Sequence, residues 1–192
     1  MINCHIVKTE EELTACRQLL QQVYRNENYL ADELTTNKTN SDTTTTFIAN
    51  EEDRICGTIA LIEDSIAGLP MDSIFKTELD TLRLPDVTLA EVGSFAVLDH
   101  KHSTSIQQNL IISFSLLAEV ISFVLENKNL THICIAINPK HKQFYESLGF
   151  ISIGLEKSYP QINHAPALAY YLNTERLTNN PSPALKKLIN YK

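Results

Sequence analysis

The chain has no excess of positive charge. Sixteen lysines and arginines stand against 23 aspartates and glutamates, a formal net charge of -7. An acidic chain repels phosphate backbones, which sets general nucleic-acid binding aside. The four cysteines, Cys4, Cys16, Cys56 and Cys134, form no CxxC pair, so no metal site is expected. Cys56 and Cys134 sit in apolar strand-like runs, where free cysteine behaves as a small hydrophobe. Four reduced thiols fit a cytoplasm. The opening MINCHIVKTEEE lacks a basic stretch followed by an apolar core, so no signal peptide is expected. The most apolar stretch, Leu110 to Leu125, falls short of the ~20 residues of a membrane span and contains Glu119. It reads as a buried helix. No internal repeat and no second domain are visible, and 192 residues are enough for one domain with a proper core.

What is present reads as alternating strands and helices. Ile2, Cys4 and Ile6 alternate with polar residues as in a strand. Thr9 with Glu12 three places on is a capping box, and Leu13, Cys16, Leu19, Leu20 and Val23 make one apolar helical face behind it. Residues 25 to 42 are polar and irregular, a loop. Strands over Thr45–Ala49 and Arg54–Glu63 flank a turn at Asn50–Asp53 and form a hairpin. An amphipathic stretch follows with Ile74, Phe75, Leu79 and Leu82. The pattern then predicts a strand from Thr88 to Leu98, a helix from about Ile106 to Glu126 and a strand over His132–Ile137. A short helix over Lys140–Leu148 is stopped by Gly149. A strand that starts over Phe150–Gly154 and a last strand over Ala167–Leu172 complete the order, which is that of an α/β mixed sheet. The domain is read as residues 1–175, with a C-terminal tail and short helix over 176–192.

Two segments carry a family resemblance. The run Asn138-Pro139-Lys140-His141-Lys142-Gln143-Phe144-Tyr145-Glu146-Ser147-Leu148-Gly149-Phe150 resembles a signature of the GNAT superfamily, in which an apolar strand ends near Asn and a short helix carries Phe-Tyr and closes with Gly-Phe. The run GLPMDSIFKTELDTLRLPDVTLAEVGSFAVL is similar to the N-acyl amino acid synthase family: a Leu-Pro-x-Asp start, a Glu-Leu-x-x-Leu-Arg helix and an Ala-Glu-Val-x-x-x-Ala-Val strand. The His141 to Tyr145 spacing and the segment from Tyr159 to His164-Ala165-Pro166-Ala167 are also similar. The resemblance spans roughly residues 45 to 173, and acyl-homoserine-lactone synthases are related. It implies a GNAT fold of the α+β type: a mostly antiparallel mixed sheet, a V-shaped splay between two parallel strands, and helices on both faces. It also implies a bacterial enzyme that moves an acyl group from a pantetheine thioester to the amine of an amino acid or similar small molecule. The donor is acyl carrier protein or acyl-CoA as co-substrate, with no permanently bound cofactor. Two departures stand out. The family carries Ser-Arg after Glu-Val where Gly93-Ser94 stands here, and His100 to Gln107 contains no glycine, unlike the glycine-rich turn of many acetyl-CoA enzymes.

Within that fold the implied roles fall on named residues. Tyr145, with a phenol pKa of about 10, is the general acid for the leaving thiolate. Glu91 is the base or amine binder. Strand alternation puts Glu91, Gly93, Phe95 and Val97 on one face, and a carboxylate beside Phe95 is desolvated into a better base. His164 is a second candidate base. Backbone N–H groups of Phe95, Ala96 and Val97 hold the donor's amides and thioester oxygen. The segment His100-Lys101-His102-Ser103-Thr104-Ser105 opens the long helix, where a helix N-terminus suits phosphate. Asn138 and His141 line the opposite strand end. Lys101, Lys140 and Lys142 form a basic rim suited to an acidic carrier protein. On the residues alone, other readings stay open: packing for Tyr145, an ion pair for Glu91, N-capping for Ser103–Ser105 and solvated loops for the basic triplets. At the level of function, an acetyl-CoA-dependent acetyltransferase and a catalytically degenerate thioester- or partner-binding domain stay open too.

Overall fold

The computed structural model describes residues 2–29, 41–52, 54–98, 105–127 and 129–191. Strand β1 (Ile2–Ile6) leads into helix α1 (Glu10–Asn26). The expected capping box is present: Thr9 Oγ1 accepts the Glu12 N–H at 3.2 Å and Glu12 Oε2 accepts the Thr9 N–H at 3.4 Å. This satisfies two of the N–H groups that a helix start leaves orphaned. Strands β2 (Thr44–Glu51) and β3 (Arg54–Glu63) make the expected hairpin. Helix α2 (Asp72–Asp80), strand β4 (Leu89–Val97), helix α3 (Ser105–Glu126) and strand β5 (His132–Ile137) follow. Then come helix α4 (Lys142–Leu148), strands β6 (Ile151–Tyr159) and β7 (Ala165–Asn173), and helices α5 (Glu175–Asn179) and α6 (Pro183–Ile189). Gly149 ends α4 in the left-handed conformation, φ 97°, as expected.

The seven strands form one sheet in the order β1-β2-β3-β4-β5-β7-β6. Neighbours are antiparallel except β4 and β5, which are parallel and joined through α3, the long crossover that a parallel pair requires. Helices cover both faces. On one face, Ile112, Leu116 and Val120 of α3, Leu148 of α4 and Leu185 and Leu188 of α6 bury against Phe47, Leu61, Val92 and Ile133. On the other, Phe75 and Leu79 of α2 bury against Ile62, Leu89 and Ala169, while Leu19 and Leu20 of α1 cover Ala96.

The strand that starts over Phe150–Gly154 runs on to Tyr159 as β6. Gly154 sits at φ 75° in a bulge within it, where a Cβ would lie 2.6 Å from Glu78 Cγ of α2, so glycine here allows close approach. Leu110–Leu125 lies within a longer apolar stretch of α3, Gln107–Glu126, 20 residues with a mean hydropathy of 1.8, and Ile112, Leu116, Val120 and Val124 bury it against the sheet as the core helix expected. Finally, strand alternation does not run unbroken through β4. The β3–β4 register shifts between Thr58 and Ala60, and Ser94 has φ 49°. This bulge reverses the strand: Leu89 faces the α2 side, as does Glu91 in reaching Met71, whereas Phe95 and Val97 pack with the α3 side. Glu91 and Phe95 therefore do not share a face, because one extra residue shifts a period-two pattern by one.

Candidate active site

Strands β4 and β5 pair only at Leu89–His132, Ala90–Ile133 and Glu91–Cys134. Beyond Glu91 they part, since the bulge at Ser94 bends β4 while β5 stays paired with β7 from His132 to Ile137. The gap is a cleft of about 520 Å³. Its lining comes from both faces of the sheet: Glu91, Tyr24, Ser73 and Tyr159 on the α1/α2 side, Tyr145 and Ser113 on the α3/α4 side. The splay lets groups on opposite faces of the sheet line one cleft.

The open edge of β4 supplies backbone donors. Leu98 N–H donates to the Cys56 carbonyl of β3 at 2.9 Å. N–H directions alternate along a strand, so Ala96 also points to β3, whereas Phe95 and Val97 point into the gap. Of the three amides expected to hold a thioester arm, two thus face away from β3.

Glu91 is 5% exposed. Its Oε2 accepts the Met71 N–H at 2.8 Å, which leaves Oε1 beside Gly93. Burial raises its pKa to about 8, against the lowering pull of the Met71 N–H, and the negative Asp72 adds to the rise. The turn that presents Met71 is itself clamped. Arg83 donates to Asp64 at 2.7 Å, to Asp72 at 2.6 and 2.8 Å and to Asp80 at 2.7 Å, and Asp72 Oδ2 accepts the Leu69 N–H at 2.7 Å. Burial alone raises the Asp72 carboxyl, but Arg83 and the Leu69 N–H outweigh it and hold it below its ordinary value. The same pairing keeps Arg83 protonated.

Tyr145 is 6% exposed and lines the cleft from α4. Its ring stands edge-on to Phe144 and Phe150, with centroids 5.1 and 5.6 Å away. Burial raises the phenol to about 12, so the hydroxyl keeps its proton at neutral pH and is a hydrogen-bond donor in the cleft wall.

The remaining expected residues divide into three groups. Asn138, Lys140 and His141 line the cleft. Asn138 Oδ1 caps the following turn by accepting the Lys140 N–H at 3.1 Å, and burial followed by the Lys140 charge lowers His141. Lys142 is exposed, 3.8 Å from Glu146 and outside the cleft. His164 lies 3.1 Å from Ser158 Oγ, also outside the cleft. His100, Lys101, His102, Ser103 and Thr104 lie outside the described residues, as does the side chain of Ser105.

The sequence reading assigned no role to Tyr24, Ser73 or Tyr159. Tyr159 donates to the Pro70 carbonyl at 3.3 Å, and Ser73 Oγ donates to the same oxygen at 2.9 Å. Burial raises both Tyr24 and Tyr159. A tyrosine on the last turn of an apolar helix was the one available signal for Tyr24.

The sequence matches the family described as N-acyl amino acid synthase FeeM over residues 15–173. The fold is similar to the solved structure of FeeM, an N-acyl amino acid synthase from uncultured soil microbes, with 33% identity, 91% of each chain covered and a TM-score of 0.80. It is also similar to a probable acetyltransferase from Staphylococcus epidermidis, at 20% identity, 91% and 99% coverage and TM-score 0.59. A CoA-dependent acyl-homoserine lactone synthase, BjaI, solved with SAM and isopentyl-CoA, matches at 15% identity, 98% and 88% coverage and TM-score 0.62. These last two speak for the GNAT fold alone. No curated protein matches the chain.

Proposed function

The chain belongs to the N-acyl amino acid synthase FeeM family and is an acyltransferase; from that premise we propose that it moves an acyl group from the pantetheine thioester of an acyl carrier protein to the amine of an amino acid or similar small molecule. The observation that carries the reading is the parting of β4 and β5 after Glu91, with a buried carboxyl and a buried phenol lining the one cleft. A thioester arm threads the gap and pairs with the amides of Phe95 and Val97, one of which donates to the carbonyl oxygen as it becomes an oxyanion. Ionised Glu91 takes a proton from the acceptor ammonium at Oε1. The neutral nitrogen attacks the thioester carbon, the C–S bond breaks, and Tyr145 protonates the sulfur. The second amine proton and the one held by Glu91 leave to solvent, from which Tyr145 recovers its own. Both substrates are held together, so no covalent enzyme intermediate is needed.

The carrier-protein donor is supported by exposed Lys140 in the lining of the cleft, with exposed Lys142 two residues on, a local positive charge on a chain of net charge -7 that suits an acidic partner. Lys101 belongs to the same proposal. Phosphate contact by His100, Ser103, Thr104 and Ser105, in the sequence leading into α3, completes it, and the four free cysteines suit a reducing cytoplasm. The test is incubation of the protein with acyl carrier protein thioesters and, separately, acyl-CoA, each with a panel of amines, read by mass spectrometry. N-acyl products from the carrier-protein donor at higher kcat/KM than from acyl-CoA are expected. Products from acyl-CoA alone would overturn the donor assignment, and none from either would overturn the transferase.

A further inference from the structure

The peptide between Pro70 and Met71 is held on both sides. Its N–H donates to Glu91 Oε2 at 2.8 Å. Its carbonyl oxygen accepts from Ser73 Oγ at 2.9 Å, from the Ser73 N–H at 3.3 Å and from the Tyr159 hydroxyl at 3.3 Å. Ser73 belongs to the first turn of α2, so its two contacts follow from the local chain. Tyr159 comes from the end of β6, 89 positions away in sequence. Its ring is buried in the cluster that packs α2 on the sheet, with Phe75 and Leu89, and its hydroxyl also lies 3.5 Å from Ser73 Oγ. The helix start does not need this phenol, because Asp72 Oδ2 already closes the turn on the Leu69 N–H. What the phenol reaches is the far side of the one peptide whose N–H meets the buried carboxyl. A peptide is conjugated, so donors on its oxygen draw electron density from its nitrogen and strengthen the bond that its N–H makes.

We propose that Tyr159 and Ser73 are positioning residues that act on Glu91 through the Pro70–Met71 peptide, fixing its plane and polarising its N–H toward Oε2, so that Oε1 has a set position and the carboxylate is favoured. The inference rests on the reading that Glu91 is the base. The titratable and charged groups around Glu91 are Asp72 at the start of α2 with its cation Arg83, Cys134 on β5, Tyr24 on α1 and Tyr159 itself; β3 places Ile62 opposite. Asp72 is held below its ordinary value and Arg83 above, so both stay charged. Burial raises Cys134, Tyr24 and Tyr159, so all three stay neutral. A titration near pH 8 in this cluster therefore belongs to Glu91.

The experiment compares the wild type with Tyr159→Phe, Ser73→Ala and the double variant. Phenylalanine keeps the ring in its cluster and removes only the hydroxyl. One readout is the pH profile of kcat/KM with one donor and one acceptor. The other needs no substrate: urea unfolding against pH, each protein referred to the same protein carrying Glu91→Gln. A weaker N–H stabilises the carboxylate less, so the limb near pH 8 is expected to move up by about 0.2 to 0.6 of a pH unit in each single variant and further in the double variant. The pH at which the stability difference levels off should rise with it, and the KM of donor and acceptor should stay within about twofold. A limb and a levelling point that do not move in folded variants overturn this inference and leave Glu91 as the base. An acceptor KM that rises while the limb stays in place overturns it too, in favour of direct contact between Tyr159 and the substrate. A wild type active without a limb near pH 8 overturns the reading of Glu91, and the role of its peptide with it.

Discussion

Replacing Glu91 with glutamine should uncouple the protein's stability from pH. The carboxyl ionises at about 8 in the folded chain, against an ordinary value of 4.5. Between those values the unfolded chain has lost a proton that the folded chain still holds, so raising the pH favours unfolding. The stabilisation is complete below pH 4.5, fades across the window, and is gone above pH 8. The slope is about 1.4 kcal/mol per pH unit, which over the whole window amounts to about 5 kcal/mol and between pH 5 and 8.5 to about 4 kcal/mol. Glutamine keeps the shape and the acceptor for the Met71 N–H but does not titrate. Urea unfolding of both proteins across that range should show the wild type losing about 4 kcal/mol relative to Glu91→Gln, while titrations elsewhere cancel in the difference. The same ionisation creates the base. Wild-type kcat/KM should therefore rise with an apparent pKa near 8, and the variant should be slower by about 10²- to 10⁴-fold without that rise. Parallel stability curves for the two proteins would refute the argument, since a carboxyl that does not resist ionisation is not desolvated.

Tyr145→Phe should lower turnover by about 10²-fold or more and leave donor affinity within about twofold; unchanged turnover would remove it as the acid. Reversing charge with Lys140→Glu and Lys142→Glu should weaken carrier-protein use about tenfold or more and flatten its salt dependence, with a smaller effect on a short pantetheine thioester; equal losses on both donors would argue against docking. Arg83→Met should cost about 3 kcal/mol in urea unfolding, because Asp64 and Asp72, each less than a fifth exposed, lose their shared cation. It should also slow catalysis through the displaced Met71 N–H; a variant as stable and as fast as the wild type would show that the clamp holds nothing.

Much of the fold was legible because local rules wrote it. The Thr9–Glu12 capping box, Gly149 in the left-handed stop and the apolar run His132–Ile137 each follow from a few adjacent residues, and each stands where the sequence placed it. Resemblance supplied the splay and pointed to Tyr145 and Glu91, both of which line the cleft. The misreading has a plain cause. Unbroken alternation through β4 was inferred from period alone, and the strand carries a bulge whose extra residue depends on the partner strand. Tyr24, Ser73 and Tyr159 stayed unread for a related reason: they come from three separate elements that only the packed sheet brings to one wall.

The amino-acid order by itself determined which segments become helix or strand, since caps, periodicity and glycine stops act over a few residues, and it carried the likeness that gives the family. The tertiary structure decided the site. Whether a carboxyl is a weak or a strong acid depends on how much water surrounds it, and Glu91 loses its water only when α1 and α2 close over β4. Where the cleft opens depends on how far two strands stay paired, and that is a property of the sheet rather than of either strand.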